Sequence, residues 1–261
     1  MIGRRVLILV PHPDDEIVGC AAAIVRARAA GREIFALYLT TGIAPVEMQW
    51  RWQRADQAAR VRRRRDEALR VAARIGLQPL EFLPWPARTL RLHLPEVRAR
   101  AAALLADPAL AIDTVWSPAY EGGHQDHDVT NMLASTFHDA GGGVQVLEFA
   151  EYNYRDGIVR SHEFVASSHD DVVLVLTAEE RQLKADLLGT YASERANLRH
   201  VEIGRERFRH LARYDYSRPP HASPLFYERF QWIPFRHPRV DFTSPAQICA
   251  AIAQFRRAPS A

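Results

Sequence analysis

Lysine is all but missing from this chain of 261 residues: Lys184 is the only one, although lysine and arginine together number 34. The basic residues are spread along the whole length, which argues against a basic tail of the kind that grips nucleic acid. Arginine's fork suits carboxylate or phosphate groups, but composition alone does not separate that use from a general arginine bias. Cysteine is almost as scarce, and Cys20 and Cys249 are too few for a disulfide framework, so both read as buried thiols. No apolar run approaches the roughly 18 residues that a membrane span needs. No charged leader with a cleavable apolar stretch precedes the first strand. The expectation is a cytoplasmic protein without an integral membrane segment. Internal repeats are absent too. What remains, 48% hydrophobic and 25% charged residues with a formal charge of +3, is ordinary for a globular chain long enough for one large α/β domain.

One stretch organises the rest. Arg5 to Val10 is a short continuous apolar run of the kind found in buried parallel strands, and Ile17 to Ile24 has the small and apolar residues of a packed helix. Between them stand Pro11, His12, Pro13, Asp14, Asp15 and Glu16. This strand-to-helix turn presents one imidazole and three carboxylates where an open parallel sheet places its ligands. Capping the following helix would need one carboxylate, not three. Histidine and carboxylate are two of the ligand types that a catalytic zinc uses, with a position left to water.

The same pattern recurs downstream. Asp113 to Ser117 reads as a strand, an irregular turn carries His124, Asp126 and His127, and a helix runs to about Asp139. Parallel strands put their carboxyl ends on one edge, so the two turns should meet there. His12, Asp15 and His127 then make a two-histidine, one-aspartate set with an open position for Zn2+ or another divalent metal, while Asp126 can orient an imidazole through its other nitrogen. Elsewhere, strands are expected at Glu33–Leu39, Leu80–Leu83 and Val144–Phe149, with helices over 47–75, 96–105 and 178–188. Thr177 and Glu180 form a capping box before the last of these, and Gly76 stops the first. Gly141–Gly143 reads as a turn. The Asp156-Gly157 pair and the alternation from Val172 to Leu176 indicate a small antiparallel addition. From Tyr214 onward, Pro219, Pro220, Pro224, Pro234 and Pro238 are expected to interrupt any long element. The fold class is therefore α/β, a Rossmann-like three-layer sandwich with a mostly parallel sheet. It forms one domain over 1–261, with the core and both motifs in 1–150 and a portion for substrate specificity in 151–261.

Both motifs resemble those of the PIG-L/LmbE-like zinc-dependent N-deacetylases, a (P/A)HPDDE turn after the first strand and a later HxDH turn. The resemblance implies His12, Asp15 and His127 as metal ligands, Asp14 as general base, and His124, held by Asp126, as the residue that stabilises the transition state. It also matches Arg64 and Glu67 to an R-x-x-E pattern, in which the arginine either meets substrate or forms a buried ion pair. Within Arg62–Arg65 most side chains read as a solvated helix face. The implied activity is removal of the acetyl group from an N-acetylglucosamine-type sugar in a glycoconjugate or biosynthetic intermediate.

Other readings are a deacylase of a different N-acyl substrate, a metallo-β-lactamase-like hydrolase, and a nucleic-acid-binding protein. The hydrolase motif needs a histidine where Gly122 stands, and binding of nucleic acid explains neither carboxylate-rich turn. Tyr152, Tyr154, Tyr191, Phe226, Tyr227 and Trp232 are candidates for a wall that stacks on sugar. Neither the group attached to the sugar nor the oligomeric state is legible here.

Overall fold

Short β-branched runs alternating with longer helical stretches build a seven-stranded sheet in the computed structural model, which describes residues 3–139, 143–222, 224–233, 237 and 240–258. Gly141 and Gly142 of the expected turn, with Pro234 and Pro238, lie outside the described residues. In chain order come β1 (Arg5–Val10), α1 (Asp15–Ala29), β2 (Glu33–Tyr38), α2 (Arg51–Arg54), α3 (Gln57–Ile75), β3 (Gln78–Phe82), α4 (Leu94–Ala106), β4 (Thr114–Pro118), α5 (Gln125–Asp139) and β5 (Gln145–Phe149). The hairpin β6 (Tyr152–Asn153) and β7 (Arg160–Ser161), then β8 (Val172–Val175), α6 (Ala178–Thr190), β9 (Arg205–His210) and α7 (Pro245–Arg257) complete the chain.

The sheet order is β3-β2-β1-β4-β5-β9-β8, parallel from β3 to β5 and antiparallel at β9 and β8. Side chains alternate across it. Val6, Ile8 and Val10 pack with residues of α1, α3 and α6 on one face, and Leu7 and Leu9 pack with α4, α5 and α7 on the other, which makes three layers. Strand order reverses between β1 and β4, the place where a doubly wound sheet opens a crevice beyond its carboxyl ends. Val6, Leu7 and Ile8 pair with Thr114, Val115 and Trp116 across that line.

Two expectations need correction. The helix expected over 47–75 is broken: a single 3-10 turn at Val46–Met48 and the short α2 precede α3, which ends at the left-handed Gly76. Near the carboxyl end a thirteen-residue helix, α7, forms despite the prolines, because Pro245 sits in its first turn and Ser244 and Gln247 close a capping box. The capping box at Thr177 and Glu180 is present as expected.

Helix α1 is not continuous. Cys20 has φ −146° and ψ 25°, and the break frees backbone groups in the middle of the helix. Glu206, on β9, accepts the N–H of Ala22 and of Ala23, each at 2.9 Å, and Lys184, on α6, donates to the carbonyl of Val18 at 2.8 Å. Lys184 and Glu206 join at 2.9 Å, both fully buried. The chain's single lysine therefore repairs the break and fixes the direction of the first turn of α1, which carries Asp15. Gly19 is required beside it, because a Cβ there would sit 2.2 Å from the Phe149 ring.

Candidate active site

The first turn leaves β1 through Pro11, whose carbonyl is tied by the Thr40 hydroxyl at 2.7 Å. Asp14 then takes φ +139°, a conformation costly for a residue with a side chain. It makes adjacent carboxylates diverge. Asp14 Oδ2 accepts from Arg64 Nη2 at 2.9 Å, whereas Asp15 Oδ2 accepts the backbone N–H of His12 at 2.7 Å and faces two imidazoles. Neither makes a side-chain cap on α1; of the three acids it is Glu16 that serves the helix start, its Oε2 accepting the Asp14 N–H at 2.9 Å.

The second turn is folded by its own acid. Asp128 Oδ1 accepts the N–H of Glu121 at 3.2 Å and of Gly122 at 3.0 Å, and Glu121 reaches the next strand's turn, accepting Glu151 N at 2.7 Å and Tyr152 N at 3.0 Å. Gly122, at φ +71°, lies under Leu225, and a Cβ on Gly123 would stand 2.3 Å from the Tyr152 carbonyl. Both positions are closed to larger residues.

These turns bring His12 Nδ1, Asp15 Oδ2 and His127 Nε2 together at separations of 3.1, 3.2 and 3.3 Å. A tetrahedral zinc with donors at about 2.0–2.1 Å requires edges of about 3.3–3.4 Å, so the triangle fits such an ion without rearrangement. Outer partners complete it: His12 Nε2 lies 3.0 Å from Asp126 Oδ2, and His127 Nδ1 lies 3.5 Å from Glu151 Oε2. Asp15, His127 and Glu151 also bring donor atoms within 4.8 Å of one another, as do His12, His124 and His127. Glu151, absent from the sequence reading, enters from the loop after β5; its only sequence signal is a carboxylate two residues beyond a third strand end on the same edge.

Charge at the site is unbalanced. Burial works against a protonated His12, but Asp15 and Asp126 outweigh it and push the imidazole up to about 10. Burial resists ionisation of Asp15 too, yet His127 and His12 hold it well below the usual carboxylate range. Asp14 is pushed up to about 8 by burial, against the pull of Arg64. Glu151 is driven far upward by burial, with Asp15 and Glu121 adding, and neither of its oxygens has a hydrogen-bond partner. An uncompensated buried carboxylate next to the His127 imidazole and the Asp15 carboxylate is what a cation site requires.

Asp126 and Arg64 differ from expectation. Asp126 Oδ2 is 3.8 Å from His124 Nδ1 and spends itself on His12, on Arg88 N at 2.6 Å and, through Oδ1, on Leu90 N at 3.2 Å. His124 Nδ1 instead accepts the backbone N–H of Asp126 at 3.1 Å. Burial and the charge on His12 push His124 well below its usual value, so it is neutral with its proton on Nε2. Arg64 is 2% exposed, paired with Asp14 and with Glu194 at 2.9 Å, and donates to Ser193 at 3.1 Å. It holds Asp14 and leaves no face for substrate; its expected partner Glu67 pairs with Arg63 and Ser193. Arg62, Arg63 and Arg65 are exposed. Of the six aromatics, Tyr191 is buried against Glu16, Tyr227 is buried, and Trp232 is exposed, while Tyr152, Tyr154 and Phe226 cluster beside His127.

A family model described as PIG-L, GlcNAc-PI de-N-acetylase, matches residues 7–138. No curated protein matches the chain. Among solved structures, the deacetylase of the antimicrobial A40926 pseudoaglycone is similar at TM-score 0.60 and 15% identity, covering 81% of this chain and 98% of its own. A deacetylase of the teicoplanin biosynthesis pathway gives 0.61 at 18%, covering 81% and 99%. The N,N'-diacetylchitobiose deacetylase of Pyrococcus horikoshii gives 0.52 at 19%, covering 73% and 70%. At such identities the likeness is one of fold. Among the described residues, no helix is long and apolar enough to cross a membrane.

Proposed function

This chain belongs to the PIG-L, GlcNAc-PI de-N-acetylase, family, and from that premise we propose that it is a metal-dependent hydrolase removing the acetyl group from an N-acetylglucosamine-type sugar within a larger conjugate. The observation that carries the reading is the triangle of His12 Nδ1, Asp15 Oδ2 and His127 Nε2, edged by 3.1–3.3 Å, with Asp14 beside it but pointed elsewhere. The solved structures of like fold include a deacetylase of the A40926 pseudoaglycone, a deacetylase of teicoplanin biosynthesis and an N,N'-diacetylchitobiose deacetylase, which supports hydrolysis of the same kind of bond.

His12, Asp15 and His127 would hold a divalent ion, zinc by donor type, and such an ion supplies Lewis acidity toward the acetyl carbonyl and lowers the pKa of water. Asp14 Oδ1 has no partner among the described residues, while Oδ2 is anchored on Arg64. That leaves one oxygen to accept a proton from the attacking water and later to return it to the amine, which is too basic to leave as an anion. His124 presents Nε2–H as a neutral donor to the acetyl oxygen as negative charge develops there. Asp126 keeps the His12 imidazole oriented, and the Glu151 carboxylate stands 3.5 Å from His127 Nδ1 as its outer charge.

The test is a panel of N-acetylated sugars and conjugates, with acetyl-lysine peptides beside them, assayed for released acetate. Release from an acetamido sugar alone is expected. Release only from the peptides, or from nothing in the panel by metal-loaded protein, overturns the assignment.

A further inference from the structure

The loop that carries Leu225 to Phe230 is docked onto the second motif, Phe226 N donating to the Gly122 carbonyl at 2.9 Å. From the metal centre outward, the Tyr152 ring stands 5.8 Å from that of His127, and the Phe226 ring 4.7 Å from that of Tyr152. The Arg229 guanidinium comes next, 3.4 Å from the centroid of Phe226 and 4.7 Å from that of Phe230. Two rings thus hold a cation that is linked to the site by a run of ring contacts from His127 through Tyr152 and Phe226.

Arg229, half-buried, differs from the two buried arginines Arg64 and Arg209. Arg64 has Asp14 and Glu194, and Arg209 has Glu148 at 2.6 Å, whereas Arg229 makes no ion pair or hydrogen bond from its side chain among the described residues. Its own neighbour Glu228 is turned back to accept Leu225 N at 2.7 Å. Burial accordingly pushes Arg229 down from the ordinary arginine value, opposed only by the Tyr152 and Tyr154 hydroxyls. The ring contacts hold the guanidinium carbon, while its N–H groups, the part that meets a carboxylate or phosphate bidentately, keep no partner among the described residues.

We propose that Arg229, clamped by Phe226 and Phe230 on the Tyr152 wall, is an anion subsite that selects substrates whose group attached to the amino sugar carries a carboxylate or a phosphate. The inference rests on the deacetylase reading and sharpens it, because it names the chemistry of the part of the substrate that the acetyl-removing residues never touch.

The experiment uses N-acetylglucosaminides of equal linker length that end in a free carboxylate, in its methyl ester, or in a phosphate monoester. Acetate release from the ester reports on the deacetylase reading by itself, and the ratio of charged to ester substrate reports on Arg229. Wild-type protein should favour at least one charged compound by about ten-fold in kcat/KM, mainly through KM. In Arg229→Gln the ratio should fall to about one, and Arg229→Lys should keep part of it. A preference for the carboxylate alone or the phosphate alone identifies the source of the anion. Calorimetric binding of the same compounds reads the subsite without turnover. Equal handling of all three by the wild type, or a charge preference that survives in Arg229→Gln with unchanged melting, overturns the proposal.

Discussion

Two groups of buried charge flank the break in α1. Beyond the break, Lys184 and Glu206 are fully buried and fully used: one cation, one anion, and the N–H or carbonyl groups of Ala22, Ala23 and Val18 placed against them. Before it, Asp14, Asp15, Glu121, Asp126, Asp128 and Glu151 are buried in and beside the turns that carry His12, His124 and His127, with Arg64 the guanidinium bound to an Asp14 oxygen. There Glu151 has two oxygens without hydrogen-bond partners, and His127 Nδ1 has none. A buried charge left open costs several kcal/mol, and a fold that can close one cluster completely has the means to close the other. The open one is where a cation belongs.

The largest effect expected from breaking the open cluster is chemical. Asp14→Asn keeps the ligand triangle but removes the proton acceptor, so bound metal should stay while turnover falls by a factor of about 10²–10⁴. His127→Ala should do the reverse and lose most of the metal. Metal analysis beside kcat separates them, and a loaded Asp14→Asn protein with near-wild-type kcat would show that another residue takes the proton.

Breaking the closed cluster should instead cost stability. Lys184→Met leaves Glu206 as an unpaired buried charge, which costs about 3–5 kcal/mol, seen as a lower urea midpoint. Lys184→Met with Glu206→Leu removes both charges and should recover part of this. Recovery stays incomplete, because Ala22 N, Ala23 N and the Val18 carbonyl lose their partners at about 1–3 kcal/mol each. A single variant within about 1 kcal/mol of wild type would mean that the pair does not repair the helix.

The open cluster was far more legible in the sequence than the closed one. Both turns announced themselves because five ligand or base candidates, His12, Asp14, Asp15, His124 and His127, are local to two strand ends, and the parallel pattern placed those ends together. The doubly wound fold followed from the same alternation. Glu206 and Lys184 lie on elements that return to α1 only in three dimensions, so no local spacing reveals them. The partner of Asp126 was misread for a related reason. The family resemblance implied His124, but the loop after β3 donates Arg88 N and Leu90 N to this carboxylate and leaves it aimed at His12. For Arg64 the sequence left substrate contact and a buried ion pair both open, and only the packing of α3 shows which of the four arginines turns inward.

The smallest predicted effect is the sharpest test of the contrast. In Glu151→Gln the side chain keeps its shape, and an amide oxygen can stand where the carboxylate oxygen stands, 3.5 Å from His127 Nδ1, so the packing around the imidazole should stay unchanged. The negative charge is lost, and with it the electrostatic support that a carboxylate gives to a metal-bound histidine. Replacing such an outer partner lowers metal affinity by about 10–100-fold, read by competition with a chelator. Stability of the metal-free protein should move the other way. Glu151 is wholly buried with neither oxygen hydrogen-bonded, and burial drives its carboxyl well above the usual range, so the amide exchanges an unpartnered group that can carry a charge for an unpartnered group of the same shape that cannot. Melting in chelator should therefore match or exceed wild type, even as metal-dependent stabilisation shrinks. A structural carboxylate behaves oppositely, as Glu206→Gln would by weakening its bond to Lys184 and lowering the melting point with or without metal. If Glu151→Gln melts lower in chelator and binds metal as tightly as wild type, Glu151 belongs with the closed cluster, and the division between the two halves of α1 lies elsewhere.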